Sequence, residues 1–154
     1  MNVAIRRMTL EDVPAVHEID TLSFSLPWPE RSFRFELTEN PVSRSWVTEF
    51  NGRIAAMLVL WLIVDEAHIA TLATHPDFRR QGIGERLMIA ALVSARNEGA
   101  TRAFLEVRAG NAAALALYNK YGFGMAGLRP RYYKDNNEDA ILMNLEDLNG
   151  LEAA

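Results

Sequence analysis

The sequence predicts a mixed α/β fold in the element order βααβββαβαββ, built on a sheet of about seven strands. Three observations carry this prediction. Strand-like apolar runs alternate along the chain with runs at helical spacing. Three consecutive strand-like runs, Ser45–Phe50, Arg53–Val64 and Ala67–Thr74, are joined by the turn signals Asn51-Gly52 and Asp65-Glu66, which makes a meander in mid-chain. A glycine-bearing run, Arg79-Arg80-Gln81-Gly82-Ile83-Gly84, then leads from a strand into a helix. The meander argues against a fully parallel, doubly wound sheet.

Each element has a local reason. Val3–Met8 reads as a first strand. Thr9 and Asp12 stand at capping-box spacing before a helix whose apolar residues are Leu10, Val13, Val16 and Ile19. Pro14 fits only within the first turn or so of that helix. Ser25-Leu26-Pro27-Trp28-Pro29 is a loop, and Pro29 is placed to begin a second helix that ends near Asn40-Pro41. After the meander, Ile83–Asn97 forms a helix with Ile83, Leu87, Ala91 and Ser94 on one face, stopped by Gly99. Ala103–Val107 is a short strand. Asn111 caps a helix running to Tyr121, with Gly122 as its stop. Phe123–Tyr132 and Glu138–Leu145 form a closing hairpin around Asp135-Asn136-Asn137, and residues 148–154 make a short tail.

Composition narrows the function. A chain of 154 residues, 49% hydrophobic and 23% charged, is expected to form one domain over 1–154 with a core of its own. It contains no cysteine, which removes thiol nucleophiles, thiolate zinc sites and disulfides and fits a reducing cytoplasm, the expected location. The net charge of −4 disfavours non-specific nucleic-acid binding and suits a cationic partner. The apolar run Ile54–Val64 is too short to span a bilayer, so no membrane role is expected. His17, His68 and His75 form no metal or triad pattern, and no metal is expected. No motif speaks to oligomeric state.

The glycine run admits three readings: a loop that merely starts a helix, a dinucleotide site, and a coenzyme A pyrophosphate site. The first amides of a helix lack intrahelical partners, its dipole favours anions, and Arg79 and Arg80 add positive charge. Gly82 and Gly84 carry no Cβ that would hold phosphates off the backbone. Against a dinucleotide, the third glycine position is Leu87 and a meander precedes the run, although Glu106 stands where a ribose-binding acid would be expected. A nucleoside-triphosphate loop is excluded by the missing Gly-Lys-Ser/Thr.

Arg79–Gly84 resembles the Gln/Arg-x-x-Gly-x-Gly/Ala signature of the GNAT superfamily of N-acetyltransferases. Leu105-Glu106-Val107-Arg108, Asn111-Ala112-Ala113-Ala114, Leu117-Tyr118 and Tyr121-Gly122-Phe123 resemble its next blocks, in order and spacing. Pro27-Trp28, Arg131-Tyr132-Tyr133 and Glu138-Asp139-Ala140 are similar to the branch that acetylates ribosomal-protein alanine and other protein N-termini. The resemblance covers Val3 to about Leu145. It implies a GNAT fold with helices on both faces of the sheet and acetyl-CoA as co-substrate. The implied acceptor is the α-amino group of a protein or peptide, a ribosomal protein such as S18 being the expected case. A small amine, an antibiotic or a lysine side chain is the alternative acceptor, and a non-catalytic acyl-CoA sensor is the non-enzymatic alternative.

The resemblance also implies roles. Glu106, on the face opposite Leu105 and Val107, becomes the base; by pattern alone it is a solvated carboxylate or an ion pair with Arg108. Tyr118 becomes the acid at the coenzyme sulfur; by spacing alone it packs beside Leu115 and Leu117. Leu72, Ala73 and Thr74 would pair through their backbone with the pantetheine arm. Arg79, Arg80, Gln81, Gly82, Ile83, Gly84, Glu85 and Asn111 would contact the rest of the coenzyme, Asn111 also being an ordinary helix cap. Leu26, Pro27, Trp28, Tyr132 and Tyr133 would flank the acceptor groove, and Glu138 would add negative charge toward a basic peptide. Two positions depart from the family pattern. Glu85 stands where many relatives have a basic residue, with Arg86 beside it. Gly110 stands where close relatives often have Ser, which is expected to loosen the loop after the catalytic strand.

Overall fold

Asn51 and Gly52 both adopt positive φ, 50° and 82°, so Phe50 and Arg53 pair across a tight hairpin. From that turn grows a meander in the computed structural model, which describes residues 2–151. Its strands are β2 (Ser43–Phe50), β3 (Arg53–Ile63) and β4 (Glu66–Thr74). The second turn falls one residue earlier than expected, at Val64 and Asp65, because Ile63 pairs with Glu66. Val64 sits at its tip with φ 56°, a region that β-branched residues rarely adopt.

The remaining elements follow the predicted order. They are β1 (Val3–Arg7), α1 (Val13–Ser23), α2 (Glu30–Thr38), α3 (Ile83–Asn97), β5 (Arg102–Arg108), α4 (Ala112–Lys120), β6 (Gly124–Tyr133) and β7 (Glu138–Leu145). The sheet runs β1-β2-β3-β4-β5-β7-β6. Its β4–β5 pair is parallel and the others are antiparallel, because α3 carries the chain across between those two strands.

Helices cover both faces of the sheet's first half. Val13, Val16 and Ile19 of α1 and Phe33 of α2 pack on Val47, Met57, Val59 and Ala73. On the other face, α3 packs on Leu58, Leu60 and Ile69. Residues 55–60 of β3 are therefore fully buried on both sides, which is why that run shows no alternation. α3 is buried more widely than one stripe: Met88, Leu92 and Ala95 join Ile83, Leu87 and Ala91, and Ala95 takes the place expected of Ser94. In α1 the expected Leu10 lies outside, 45% exposed in a short 3₁₀ turn, and Asp20 is buried instead. Asp12 accepts from the Thr9 amide at 2.8 Å, the capping contact expected there, and is also gripped by Arg6 at 2.7 and 2.9 Å. Pro29 stands just before α2 rather than as its first residue.

The tail is docked over its described part. Arg96 donates to the carbonyls of Leu148 and Leu151 at 3.0 and 2.6 Å, and both leucines are buried. Residues 152–154 of the expected tail lie outside the described residues. Among the described residues no helix is long and apolar enough to cross a membrane.

One feature of the sheet positions the site. β4 and β5 pair only from Glu66↔Arg102 to Ile69↔Leu105. There the β3–β4 register slips: Val59 pairs with Thr71 and Leu60 with Ile69, leaving Ala70 as the extra residue. A bulge bends its strand. Beyond it β4 stays with β3 as far as Thr74, while β5 stays with β7 as far as Arg108. The two strands thus diverge and open the middle of the sheet.

Candidate active site

The divergence forms a cleft of about 650 Å³. Ile69–Leu72 line one side and Leu105–Arg108 the other; Asn111, Ala114 and Tyr118 of α4 add a third wall. The loop before α2 and the β6–β7 hairpin close it from outside through Leu26, Trp28, Tyr133 and Glu138. Eight residues singled out by sequence therefore meet here: Leu26, Trp28, Leu72, Glu106, Asn111, Tyr118, Tyr133 and Glu138. Pro27 and Tyr132 do not line the cleft. Tyr132 is 43% exposed and packs edge-on against Tyr133.

Glu106 alternates as expected, exposed to the cleft between buried Leu105 and Val107. Its ionic neighbour is not Arg108 but Arg129 of the edge strand, at 3.6 Å. Arg108 turns instead to the hairpin, 3.0 Å from Asp135 and 3.5 Å from Glu138. Tyr118 belongs both to the core and to the cleft. Its ring is buried against Phe123 at 5.7 Å, and it also lines the cleft. Burial pushes its phenol up to about 12, so it stays protonated at neutral pH.

The glycine run lies beyond the end of β4. Arg80 and Gly82 both have positive φ, 65° and 74°, an alternation that forms a concave array of backbone amides. The amides of Ile83, Gly84 and Glu85 precede the first helical bond, Arg86 N–H to Gly82 at 3.1 Å, and no side chain of the preceding residue caps them. The space where a Gly82 Cβ would stand is empty to 4 Å. Such a backbone fits the phosphates of a coenzyme. Gly84 has a further reason beside the expected one: a Cβ there would come within 2.7 Å of the Thr74 hydroxyl oxygen, so its lack of a side chain lets the turn pack on β4. Thr74 gives its carbonyl to Arg79, which also reaches Ser23 at 3.2 Å. Ala73 is buried toward α1. Asn111 caps α4, accepting from Ala114 N–H at 3.1 Å.

Both departures from the family pattern have local compensations. Glu85 accepts from Lys120 at 2.6 Å and from the Tyr121 hydroxyl at 2.5 Å, and these donors hold its carboxyl below the usual range. Its charge is thus met by Lys120 rather than by Arg86. Gly110 does not loosen its loop, because its amide donates to Glu138 at 2.5 Å and a Cβ would crowd that carboxylate. Glu138 is in turn tied to the loop, to Asn136 and to Arg108.

The outer end contains groups the sequence reading missed. Arg108 bonds Asp135 at 3.0 Å and Ser25 at 3.3 Å and lies 3.9 Å over the Tyr133 ring. Ser25 also donates to Asp135, so one network joins β5, the loop before α2 and the hairpin. Asp20, 1% exposed, accepts from the Trp28 amide at 2.7 Å and so fixes the loop; burial raises its pKa. An acid on the apolar stripe of α1, one position after Ile19, was the available signal for Asp20. No local signal pairs Ser25 with Asp135, which lie 110 residues apart.

Two strands parting over a cleft, with an anion-ready helix start beyond one of them and a carboxylate and a protonated phenol within, fit a coenzyme A-dependent acyltransferase. The model of the Acetyltransferase (GNAT) family matches residues 13–123, and the chain belongs to that family. It is an acetyl-CoA-dependent N-acetyltransferase. It is 41% identical over 140 residues to the "Putative ribosomal protein bS18-alanine N-acetyltransferase" of Bacillus subtilis (strain 168), covering 91% of this chain and 93% of that one. Identity is 36% over 143 residues with the ribosomal protein bS18-alanine N-acetyltransferase of Escherichia coli (strain K12), covering 92% and 95%. The crystal structure of the ribosomal-protein-S18-alanine N-acetyltransferase from Escherichia coli superposes with a TM-score of 0.86 at 35% identity, over 94% of this chain and 93% of that one.

Proposed function

We propose that the chain acetylates the α-amino group of a protein, the acceptor being the ribosomal protein bS18 with its N-terminal alanine. The observation that carries the reading is the meeting of Glu106 and Tyr118 in one cleft, whose outer walls are the Trp28 loop and the Tyr133 hairpin. Four carboxylates, Asp20, Glu106, Asp135 and Glu138, line that cleft against one arginine, Arg108, which favours a cationic amine. The acceptors named for the relatives point the same way.

In this reading acetyl-CoA supplies the acetyl group as a thioester. The amides from Gly82 to Glu85 and the charge of Arg80 hold its phosphates, and Leu72 with Asn111 lines its path inward. Glu106 takes a proton from the acceptor's ammonium, because only the free amine has a lone pair with which to attack. The new carbon–nitrogen bond forms as the carbon–sulfur bond breaks; Tyr118 gives its proton to the departing sulfur, and the acylated nitrogen loses its excess proton to solvent. Positioning the two reactants in the cleft supplies much of the acceleration.

A panel of substrates tests the acceptor class. Peptides beginning with alanine, the same peptides with blocked N-termini and an internal lysine, and polyamines are incubated with acetyl-CoA, and modified sites are read by mass spectrometry. Acetylation confined to free N-termini is expected. Equal modification of blocked peptides or polyamines overturns the α-amine assignment in favour of a lysine or small-amine acceptor.

A further inference from the structure

The start of α3 poses an electrostatic problem. Its free amides and dipole suit phosphates, yet its third residue is Glu85, whose side chain is one-quarter exposed there, at 26%. A carboxylate in this place repels a bound diphosphate. Of the two arginines in the glycine run, Arg79 is already committed to Thr74 and Ser23, on the side facing α1.

Glu85 does not fold back onto the helix amides. Its Oε1 reaches across to the end of α4, where it accepts from Lys120 Nζ and the Tyr121 hydroxyl. The consequence is an ammonium fixed beside the helix start. Lys120 is the last residue of α4, and its side chain is 63% exposed. An ammonium has three donors, and Glu85 occupies one. An exposed ion pair contributes little to stability, so folding alone is a weak reason for this arrangement. α4 also carries Tyr118 one half-turn earlier, so the same helix borders both the reacting end and the phosphate end of the site.

We propose that Lys120 is a phosphate ligand of acetyl-CoA and that Glu85, helped by Tyr121, positions it. Lysine acts here as a compact point charge, a common partner of phosphate. This inference rests on the reading of Arg79–Gly84 as the phosphate end of the coenzyme site.

Calorimetric titration of the full chain with CoA and with 3′-dephospho-CoA provides the test. Lys120→Gln raises the Kd for CoA about tenfold and flattens its salt dependence. A loss confined to CoA assigns Lys120 to the 3′-phosphate, and an equal loss for both ligands assigns it to the pyrophosphate. The double variant Glu85→Gln/Lys120→Gln stays weaker than wild type, because it lifts the repulsion of Glu85 but still lacks the ammonium. Recovery of wild-type affinity in the double variant overturns the proposal, because Lys120 then only neutralises Glu85; so does an unchanged Kd in Lys120→Gln. A second readout uses the chain's two lysines, Lys120 and Lys134. CoA slows amine-directed labelling of Lys120 and leaves Lys134 as the internal reference; equal rates with and without CoA count against the proposal. Gly82→Asp serves as the separate arm. If it binds CoA normally, the glycine run is not the coenzyme site, whereas a defective Gly82→Asp beside a normal Lys120→Gln removes only the lysine.

Discussion

At the glycine-run end of the candidate site, a handful of consecutive residues, Arg79–Gly84, provide turn, amides and helix start together. At the outer end of the cleft, the proposed acceptor end, the wall is drawn from Ser25, Arg108 and Asp135, which meet only because three separate segments converge. The first end works through backbone conformation: positive φ at Arg80 and Gly82 and an uncapped helix. The second works through side chains that hold one another. A backbone site tolerates changes of side chain but not of glycine at Gly82. A side-chain network fails piecemeal, each lost member loosening one wall.

Gly82→Asp probes that contrast hardest. It puts a charged side chain at φ 74°, in front of uncapped helix amides. Strain and repulsion together are expected to weaken acetyl-CoA binding about a hundredfold or more by calorimetry. A normal affinity there would remove the glycine run from the site. Between the two ends, Glu106→Gln is expected to lower kcat about 10²- to 10⁴-fold while the Kd for acetyl-CoA holds. Retention of wild-type turnover would take the base role away from Glu106.

Tyr118 sharpens the picture through pH. Burial raises its phenol to about 12, so the proton donor is fully present below that pH and is lost only as pH rises through it. Turnover is therefore expected to show no alkaline fall from this group up to about pH 11, and Tyr118→Phe to cost about tenfold or more in kcat. An alkaline fall near pH 10 that vanishes in Tyr118→Phe would contradict the buried, protonated phenol. The smallest effect is expected at the acceptor end. Arg108→Gln removes the tie from β5 to Ser25 and Asp135, which keep only their own bond, and the KM for peptide should rise several-fold to about tenfold with the KM for acetyl-CoA unaltered. Equal changes in both would mean that Arg108 supports the whole cleft rather than its outer wall.

Much of this was legible in the sequence. The element order, the hairpin at Asn51-Gly52, the helix Ile83–Asn97 and the cap at Asn111 follow from local chemistry, and local chemistry survives folding. Misplaced expectations concern partners. Glu106 faces Arg129 rather than Arg108, since β6 lies beside β7 and brings Arg129 toward β5. Glu85 finds its counter-charge in Lys120, 35 residues away, a partner that no local signal announces. Gly84 is small for the sake of Thr74 as well as for any ligand.

The sequence by itself determined the glycine turn, the alternation that turns Glu106 outward and the helix that carries Tyr118, because each depends on dihedral preferences and spacing within a few residues. Only the tertiary structure decided that β4 and β5 part at Ala70, that Arg108 clasps loop to hairpin and that Lys120 stands at the start of α3. Those outcomes depend on which distant side chains come within hydrogen-bonding reach, and the fold sets that.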